Sequence, residues 1–126
     1  PISIYSTEKH VIKDIDVTSY YPSLAIVNSV IPEHLGSEFT EIYRSLKQER
    51  KKYEKHTPQN KALKLALNGV YGDSNNEHSP FFDPKYMLSI TINGQLLICL
   101  LVEWCLQFVP GVKILQANTD GPTLHY

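Results

Sequence analysis

Three short segments of this 126-residue chain carry side chains that could do chemistry. Residues 16–23 begin with Asp16 and contain two tyrosines before a proline. Residues 64–72 contain a lysine, an asparagine and a tyrosine at helical spacing, and residues 118–121 place Asp120 in a tight turn. Carboxylates can hold divalent cations and a lysine can hold phosphate. The segments therefore supply the parts that metal-assisted nucleotidyl transfer requires.

The basic residues are concentrated in one window of the chain. Residues 44–64 contain eight of the twelve Lys and Arg residues but only two of the thirteen acidic residues, so the window carries +6 and the remainder −7. The total of −1 argues against a uniformly basic surface for nucleic acid. The asymmetry favours a protein that contacts phosphate with one element and metal ions with another. A solvated helix face is the alternative explanation.

Length and composition restrict the class of protein. A chain of this length with 42% hydrophobic residues is expected to form one domain with a buried core. Cys99 and Cys105 are expected to be reduced core thiols, and the five histidines lack ligand spacing. No signal peptide opens the chain, and the longest apolar run, residues 96–102, is shorter than the roughly 20 residues that span a bilayer. No membrane partner is expected.

Hydrophobic periodicity predicts a strand and a short helix in the first part of the chain. Residues 11–17 are rich in β-branched residues and predict a buried strand that ends near Asp16. Pro22 disfavours helix at the residue before it, so a helix is expected to begin at residue 22 or 23 and to end near residue 29.

The basic window is predicted to form a hairpin of two antiparallel helices. Ser37 is a favourable N-cap for the first helix, which is expected to end near His56. Thr57 and Pro58 supply an N-cap and a first-turn proline for the second helix, which is expected to reach about Val70. The short connection between them makes the helices neighbours in space.

The last third of the chain predicts a long helix followed by a β-hairpin. Asp83 and the proline after it open a helix that runs to about Val109 and is apolar nearly all round, so it is expected to be buried against a sheet. Two strands are predicted at residues 114–117 and 122–126, joined by a tight turn. The predicted fold class is α+β with an antiparallel sheet.

The three segments resemble motifs A, B and C of the family B (polymerase alpha-like) DNA polymerases. Residues 16–23 are similar to D-x-x-S-L-Y-P-S, with Tyr20 where leucine is usual. Residues 64–72 are similar to K-x-x-x-N-S-x-Y-G, with glycine in place of serine. Residues 116–121 are similar to Y-x-D-T-D-S, with Asn118 in place of the first aspartate. The resemblance covers nearly the whole chain.

The resemblance implies a palm sheet packed by the long helix, with a short two-helix fingers hairpin. Residues 1–36 would be palm, with the first strand and motif A, and residues 37–72 would be the fingers hairpin that ends in motif B. Residues 73–126 would be palm again, with the long helix and motif C. The short fingers resemble those of phage and mobile-element members. Exonuclease and thumb segments are expected outside this chain, which would be a portion of a longer polymerase.

The resemblance also implies a catalytic site for transfer of a nucleotide from a dNTP to a primer 3′-hydroxyl. Asp16 and Asp120 are expected to be catalytic and to hold two Mg²⁺ ions, for which Mn²⁺ can substitute, and the backbone carbonyl of Val17 is a further implied ligand. An isolated aspartate before a glycine is also a common turn former. Asn118 occupies a peripheral acidic position, and its neutral amide is expected to weaken metal binding without abolishing it.

Motif A carries the implied contacts to the incoming nucleotide. In the family, the tyrosine that corresponds to Tyr21 stacks beneath the sugar and excludes a 2′-hydroxyl. A core aromatic residue is the alternative for Tyr21. Backbone N–H groups of Ser19 and Tyr20 are expected to contact the triphosphate, as turns commonly do.

Motif B and the helix before it carry the implied cationic contacts. Lys64 resembles the lysine that binds the triphosphate, and Asn68 and Tyr71 share its helix face and would lie near the nascent base pair. Asn68 is also expected to contact the nucleotide. Arg50 is the best candidate for a further phosphate contact, in competition with Lys51, Lys52 and Lys55.

Two other functions are possible for such a chain. A catalytically weakened or inactive nucleic-acid-binding module would explain Asn118, but retention of the other motif residues argues against decay. A reverse transcriptase or RNA polymerase palm is disfavoured because only Asp120 remains of the adjacent aspartates in its motif C turn and Tyr21 implies sugar exclusion.

The expected partners are primer–template DNA and dNTP. If the chain is of phage origin, the expected location is the cytoplasm of a bacterial host. The isolated chain is expected to be inactive or very weakly active, because affinity for a duplex grows with the number of phosphates contacted.

Overall fold

The computed structural model describes residues 4–7 and 9–126, so positions 1–3 and 8 of the predicted first palm segment lie outside the described residues. The described chain divides into two compact units. One contains the residues up to Thr18 together with Gly94–Tyr126, and the other contains Ser19–Asn93. The described elements are a three-stranded antiparallel sheet and four α-helices, one of them long. The predicted α+β fold class is confirmed.

The sheet of the first unit consists of β1 (Ile12–Asp14), β2 (Lys113–Ala117) and β3 (Pro122–His125). The strand order is β1-β3-β2, and both neighbouring pairs are antiparallel. The turn between β2 and β3 is closed by the N–H of Asn118, which donates to the carbonyl of Gly121 at 2.8 Å. The predicted hairpin is therefore confirmed, and β3 lies between β1, which precedes motif A, and β2, which leads into the motif C turn.

β1 differs from its prediction in length and burial. The regular strand ends at Asp14, although the N–H of Ile15 still donates to the carbonyl of Pro122 at 3.0 Å. Val11 is 50% exposed, and the strand residues are half-buried or exposed. The predicted burial of this strand is wrong because β1 lies at the edge of a small sheet, where only one of its sides is paired.

The second unit is built from helices. It contains α1 (Tyr20–Val27), α2 (Glu38–Arg50), α3 (Pro58–Asp73) and the first part of α4 (Pro84–Phe108), with a 3₁₀ turn at Glu33–Leu35. α2 and α3 form the predicted antiparallel hairpin, and α1 packs against both. One apolar cluster holds the unit together, and its buried members are Leu24, Ala25, Tyr43, Leu67, Val70, Tyr86 and Ile90.

α1 begins earlier than predicted, at Tyr20. Pro22 is the third residue of the helix, and its missing N–H costs nothing there because the first N–H groups of a helix have no partner within it. Ser19 precedes the helix in a left-handed conformation with φ 53° and ψ 53°. Pro22 disfavours helical backbone at Tyr21, but Tyr21 is helical here because α1 packs against α2 and α3.

α2 ends at Arg50, earlier than the predicted end near His56. The amide of Asn60 donates to the carbonyls of Arg50 at 3.3 Å and Tyr53 at 2.8 Å, so a buried side chain of α3 takes up the carbonyls at the end of α2. Ser37 precedes the helix but makes no capping hydrogen bond through its side chain. Its predicted capping role is wrong.

The capping signals of the other two helices are confirmed. The hydroxyl oxygen of Thr57 accepts a hydrogen bond from the N–H of Asn60 at 3.3 Å, and Pro58 begins α3. One carboxylate oxygen of Asp83 accepts from the N–H of Tyr86 at 3.0 Å at the start of α4. Each cap satisfies a donor that the first turn leaves open.

α4 has the predicted bounds but is buried along one face only, at Tyr86, Ile90, Gly94, Ile98 and Cys105. Cys99 is exposed, and both cysteines are free thiols. By length and composition α4 is apolar enough to cross a bilayer, and 22% of that apolar window is buried. The length of the longest uninterrupted apolar run did not reveal the high overall hydropathy of α4, because polar residues interrupt the apolar ones along the helix. The exposed apolar side chains of α4 are Leu88, Ile92, Leu96, Leu97, Leu100, Trp104, Leu106 and Phe108.

Candidate active site

The predicted acidic residues lie on neighbouring backbone segments of the first unit. The N–H of Val17 donates to the carbonyl of Asp120 at 2.9 Å, which continues the β1–β3 pairing beyond the regular strand. Asp16 and Asp120 are both exposed. The predicted meeting of the first strand with the motif C turn is thus confirmed for the backbone. Sharing of cations by the two carboxylates stays a prediction.

Gly121 permits this close approach of the two segments. A Cβ atom built at Gly121 would lie 1.6 Å from the carbonyl oxygen of Ile15, well inside any van der Waals contact. A side chain there would force the backbone of β1 away from the turn. The position where the motif C pattern has serine therefore requires glycine in this chain.

The predicted metal ligands at and beside this turn are oxygen donors. They are two carboxylates and the backbone oxygen of Val17, and Mg²⁺ prefers oxygen ligands and uses only one or two carboxylates together with waters and substrate oxygens. Among the described residues, no group of three or more His, Cys, Asp or Glu side chains could hold a metal ion. The amide oxygen of Asn118 accepts a hydrogen bond from the side chain of Gln116. The motif C turn thus depends on Asp120 for its negative charge.

In the second unit, the motif A turn is held by a cation of α2. Nη1 of Arg50 donates to Oγ of Ser19 at 2.8 Å, and its Nε donates to Oδ1 of Asn60 at 3.1 Å. The carbonyl of Ser19 accepts from the N–H and the hydroxyl of Ser23. Of the competing cations, Lys52 pairs instead with Glu49 at 2.6 Å on the surface. The geometry places Arg50 beside the motif A turn.

Sequence reasoning missed two residues of this network. Nζ of Lys47 donates to Oγ of Ser23 at 2.7 Å, and burial, with the nearby charge of Lys51, lowers the pKa of Lys47. Asn60 is buried and fixes the guanidinium of Arg50. The three-residue spacing of Lys47 and Arg50 on one face of α2 is a signal that could have found the lysine. No local signal marks Asn60.

The tyrosines of motifs A and B stack on each other. The ring centroids of Tyr21 and Tyr71 are 4.0 Å apart with planes inclined by 20°, and the hydroxyl of Tyr71 is hydrogen-bonded to that of Thr91 at 2.8 Å. The ring of Tyr20 lies 6.1 Å from that of Tyr21. Both stacked tyrosines are half-buried. This contact fixes the ring of Tyr21 from the α3 side.

The remaining motif B residues lie on the surface of α3. Lys64 and Asn68 are exposed, and they share the helix face of Tyr71. A lysine and an amide beside a fixed pair of tyrosine rings can hold phosphate oxygens and hydrogen-bond a base or sugar. The face thus has the donors that a nucleotide requires.

Comparison with known proteins supports part of this assignment. No family model matches the chain, and no curated protein sequence matches it. The chain is similar to a solved structure, the family B DNA polymerase from the hyperthermophilic archaeon Pyrobaculum calidifontis, with a TM-score of 0.56 and 16% sequence identity. The similarity covers 90% of this chain and 20% of the polymerase chain. The chain therefore has the fold of a portion of a family B DNA polymerase, about a fifth of its length.

Proposed function

We propose that this chain is the palm-and-fingers portion of a template-directed family B DNA polymerase. The observation that carries the proposal is the hydrogen bond from Val17 to Asp120, because it joins the motif A and motif C segments that sequence alone left 103 positions apart. The shared fold with an archaeal family B polymerase supports it. The short helices of the α2–α3 hairpin favour a phage or mobile-element type.

The proposed acidic site of the first unit binds cations. Asp16, Asp120 and the carbonyl of Val17 would hold two Mg²⁺ ions, which would supply activation of the primer 3′-hydroxyl and charge stabilisation of the leaving pyrophosphate. The amide of Asn118 contributes no charge, so the site retains activity with weaker metal affinity than a site with a third carboxylate.

The second unit binds the nucleotide in this proposal. The backbone of Ser19 and Tyr20 and the side chains of Arg50 and Lys64 hold the triphosphate, and Lys47 adds a charge one helical turn before Arg50. The ring of Tyr21 contacts the sugar and excludes a 2′-hydroxyl, and Asn68 and Tyr71 lie near the nascent base pair. Primer–template DNA and dNTP are the proposed partners.

Removal of one carboxylate tests the proposal. In the full-length polypeptide that contains this chain, Asp120→Asn is expected to lower Mg²⁺-dependent dNTP incorporation by about a hundredfold or more, because the cations supply several kcal/mol of transition-state stabilisation. In the chain itself, Asp120→Asn is expected to weaken Mn²⁺ binding measured by electron paramagnetic resonance.

Asp14→Asn is the matched control, because it removes the same charge from β1 in the same unit while its side-chain oxygen can still accept the hydrogen bond from Thr123. Incorporation and Mn²⁺ affinity are expected to persist in this variant. Equal Mn²⁺ affinity in the wild-type chain and Asp120→Asn would contradict the acidic site. Background incorporation by the wild-type polypeptide with intact DNA binding would instead support the inactive nucleic-acid-binding module.

A further inference from the structure

The α2–α3 hairpin has a second face that the polymerase assignment does not use. α1 covers the hairpin on the side of Leu67, which is fully buried. Along another face of the same helices runs an open apolar groove of about 840 Å³. Ile42 on one wall is 59% exposed and Leu65 on the other is 76% exposed. Apolar side chains gathered along a groove are typical of a binding surface.

The floor of the groove on α3 is made of small residues. Ala62, Ala66 and Gly69 follow one another at spacings of four and three residues, so they lie on one helix face. A Cβ atom at Gly69 would meet nothing within 4 Å, so this end of the floor is open. Small residues allow another helix to approach closely, since the distance between packed helices depends on the side chains at the contact.

The groove is separate from the proposed nucleotide-binding face. Ala66 is two residues from both Lys64 and Asn68, and residues two apart on a helix point in nearly opposite directions. A molecule in the groove therefore leaves the cationic face of α3 accessible. The groove is not explained by nucleotide binding.

The charges along the groove select the occupant. Glu38 at the start of α2 and Asp73 at the end of α3 line the same end of the groove, because the two helices are antiparallel. Glu41 is a further carboxylate in the first turn of α2, outside the groove lining. The basic residues begin nearer the middle of the hairpin, at Arg44 on α2 and Lys64 on α3, and no lysine or arginine of the described chain lines the groove. The groove is therefore apolar along its length and acidic at one end.

We propose that this groove binds an amphipathic helix of a partner protein. The apolar side chains of that helix, spaced by three and four residues, enter the groove over Ala66 and Gly69. Its lysine or arginine residues lie at the end that meets Glu38 and Asp73.

A pair of helical peptides tests the proposal. The first is a fluorescein-labelled, side-chain-stapled peptide of about 18 residues, or five turns, with leucines along one face, glutamines elsewhere and lysines in its last turn. The second carries glutamates in place of the lysines. In titrations with the 126-residue chain followed by fluorescence anisotropy, the lysine peptide is expected to bind about tenfold more tightly. The double variant Glu38→Gln, Asp73→Asn is expected to remove that difference.

Variants of the two walls identify the surface. Leu65→Glu and Ile42→Glu are each expected to weaken binding of the lysine peptide by about tenfold or more, because each places a charge among the apolar contacts. Val27→Glu is the matched control, since Val27 is an apolar residue of α1 with 78% exposure, outside the groove. It is expected to bind as the wild-type chain does. Unchanged circular dichroism and melting temperature show that the wall variants are folded.

Three results would overturn the proposal. Equal affinity for the lysine and glutamate peptides would remove the charge selection. Wild-type binding by both wall variants would place the peptide elsewhere. A concentration-dependent dimer in analytical ultracentrifugation that Leu65→Glu abolishes would assign the groove to a second copy of this chain.

Discussion

Single residues of the candidate site owe their roles to partners that are distant in the sequence. The guanidinium of Arg50 is held between Ser19 and Asn60 by hydrogen bonds of 2.8 and 3.1 Å. Because Asn60 is buried and also binds the carbonyls of Arg50 and Tyr53, one side chain both ends α2 and orients the cation. Gly121 acts in the same way in the first unit, where its missing side chain leaves room for the carbonyl of Ile15.

Gly121→Ala is expected to destabilise the chain by about 1–3 kcal/mol, the usual cost of forcing extra atoms into a packed site. The new methyl group would overlap the carbonyl oxygen of Ile15 and push the motif C turn away from β1. Urea unfolding measures the loss of stability, and Mn²⁺ affinity should fall with it. Gly72→Ala is the control, because a Cβ atom at this helical position meets nothing within 4 Å and alanine favours helix. Equal stability of both variants would contradict the close approach.

At the scale of elements, the start of α4 is tied to the loop that follows α1. The carboxylate of Asp83 accepts from the N–H of Tyr86 and, at 2.9 Å, from the N–H of Glu33. Lys85 forms an ion pair with Glu33 across the same contact. Burial alone would raise the pKa of Asp83, but the hydrogen bonds from backbone N–H groups outweigh it and lower the pKa. The ionised carboxylate therefore stabilises the folded state.

Asp83→Asn is expected to lower the free energy of unfolding at pH 7 by about 0.3–1 kcal/mol, the usual value of a charge at a helix N-terminus. Because the folded pKa of Asp83 is lowered, its stabilisation is present above the pKa of the unfolded chain and is lost as pH falls through the folded pKa. The difference between variant and wild type should therefore shrink below about pH 4. Thermal unfolding followed by circular dichroism from pH 7 to pH 2 measures it.

Glu103→Gln makes the equivalent charge change on the same helix, far from its N-terminus. It is expected to change the stability by less than about 0.5 kcal/mol at either pH, as is usual for surface substitutions. If the difference in unfolding free energy between Asp83→Asn and the wild type stayed constant down to pH 2, the charge of Asp83 would not be its cause. The loss of stability would then come from poorer hydrogen-bond geometry of the amide.

At the scale of the whole molecule, the acidic motif positions and the basic window lie in different units. The acidic positions of motifs A and C belong to the first unit, and the basic window at residues 44–64 belongs to the second. Cations and phosphates are thus expected to be bound by different units. Substitutions in one unit should leave the binding property of the other unchanged.

The triple variant Lys51→Gln, Lys55→Gln, Lys61→Gln is expected to bind a short DNA duplex more weakly than the wild-type chain. Each lost phosphate contact lowers the salt slope of log K by about one, so the slope should fall by up to about three. Fluorescence anisotropy at several salt concentrations measures the slope, and Mn²⁺ affinity should not change.

Lys9→Gln, Lys13→Gln, Lys113→Gln is the matched control, because it removes three exposed lysines from the first unit. This variant is expected to keep the wild-type salt slope. Equal loss of slope in the two triple variants would show that net charge, and not the basic window, drives DNA binding.

The sequence by itself determined the features that depend on a few neighbouring residues. Thr57 with Pro58, and Asp83 with the proline after it, marked helix starts because a cap and a first-turn proline act within one turn. The turn before Gly121 marked the hairpin, and the resemblance of three segments to motifs A, B and C indicated the fold of a polymerase portion. The candidate-site residues that the sequence could predict are those that match a motif position, such as Asp16 and Lys64.

Only the tertiary structure decided the features that depend on residues far apart in the chain. The end of α2 depends on Asn60, whose side chain binds the carbonyl of Arg50. The packing of α2 against α1 decides which cation contacts Ser19. The close approach at Gly121 depends on the position of Ile15. The exposure of α4 is likewise a result of the packing, since its apolar composition alone predicted burial. A pattern along the sequence contains no information on these contacts, because each is formed only when the chain packs.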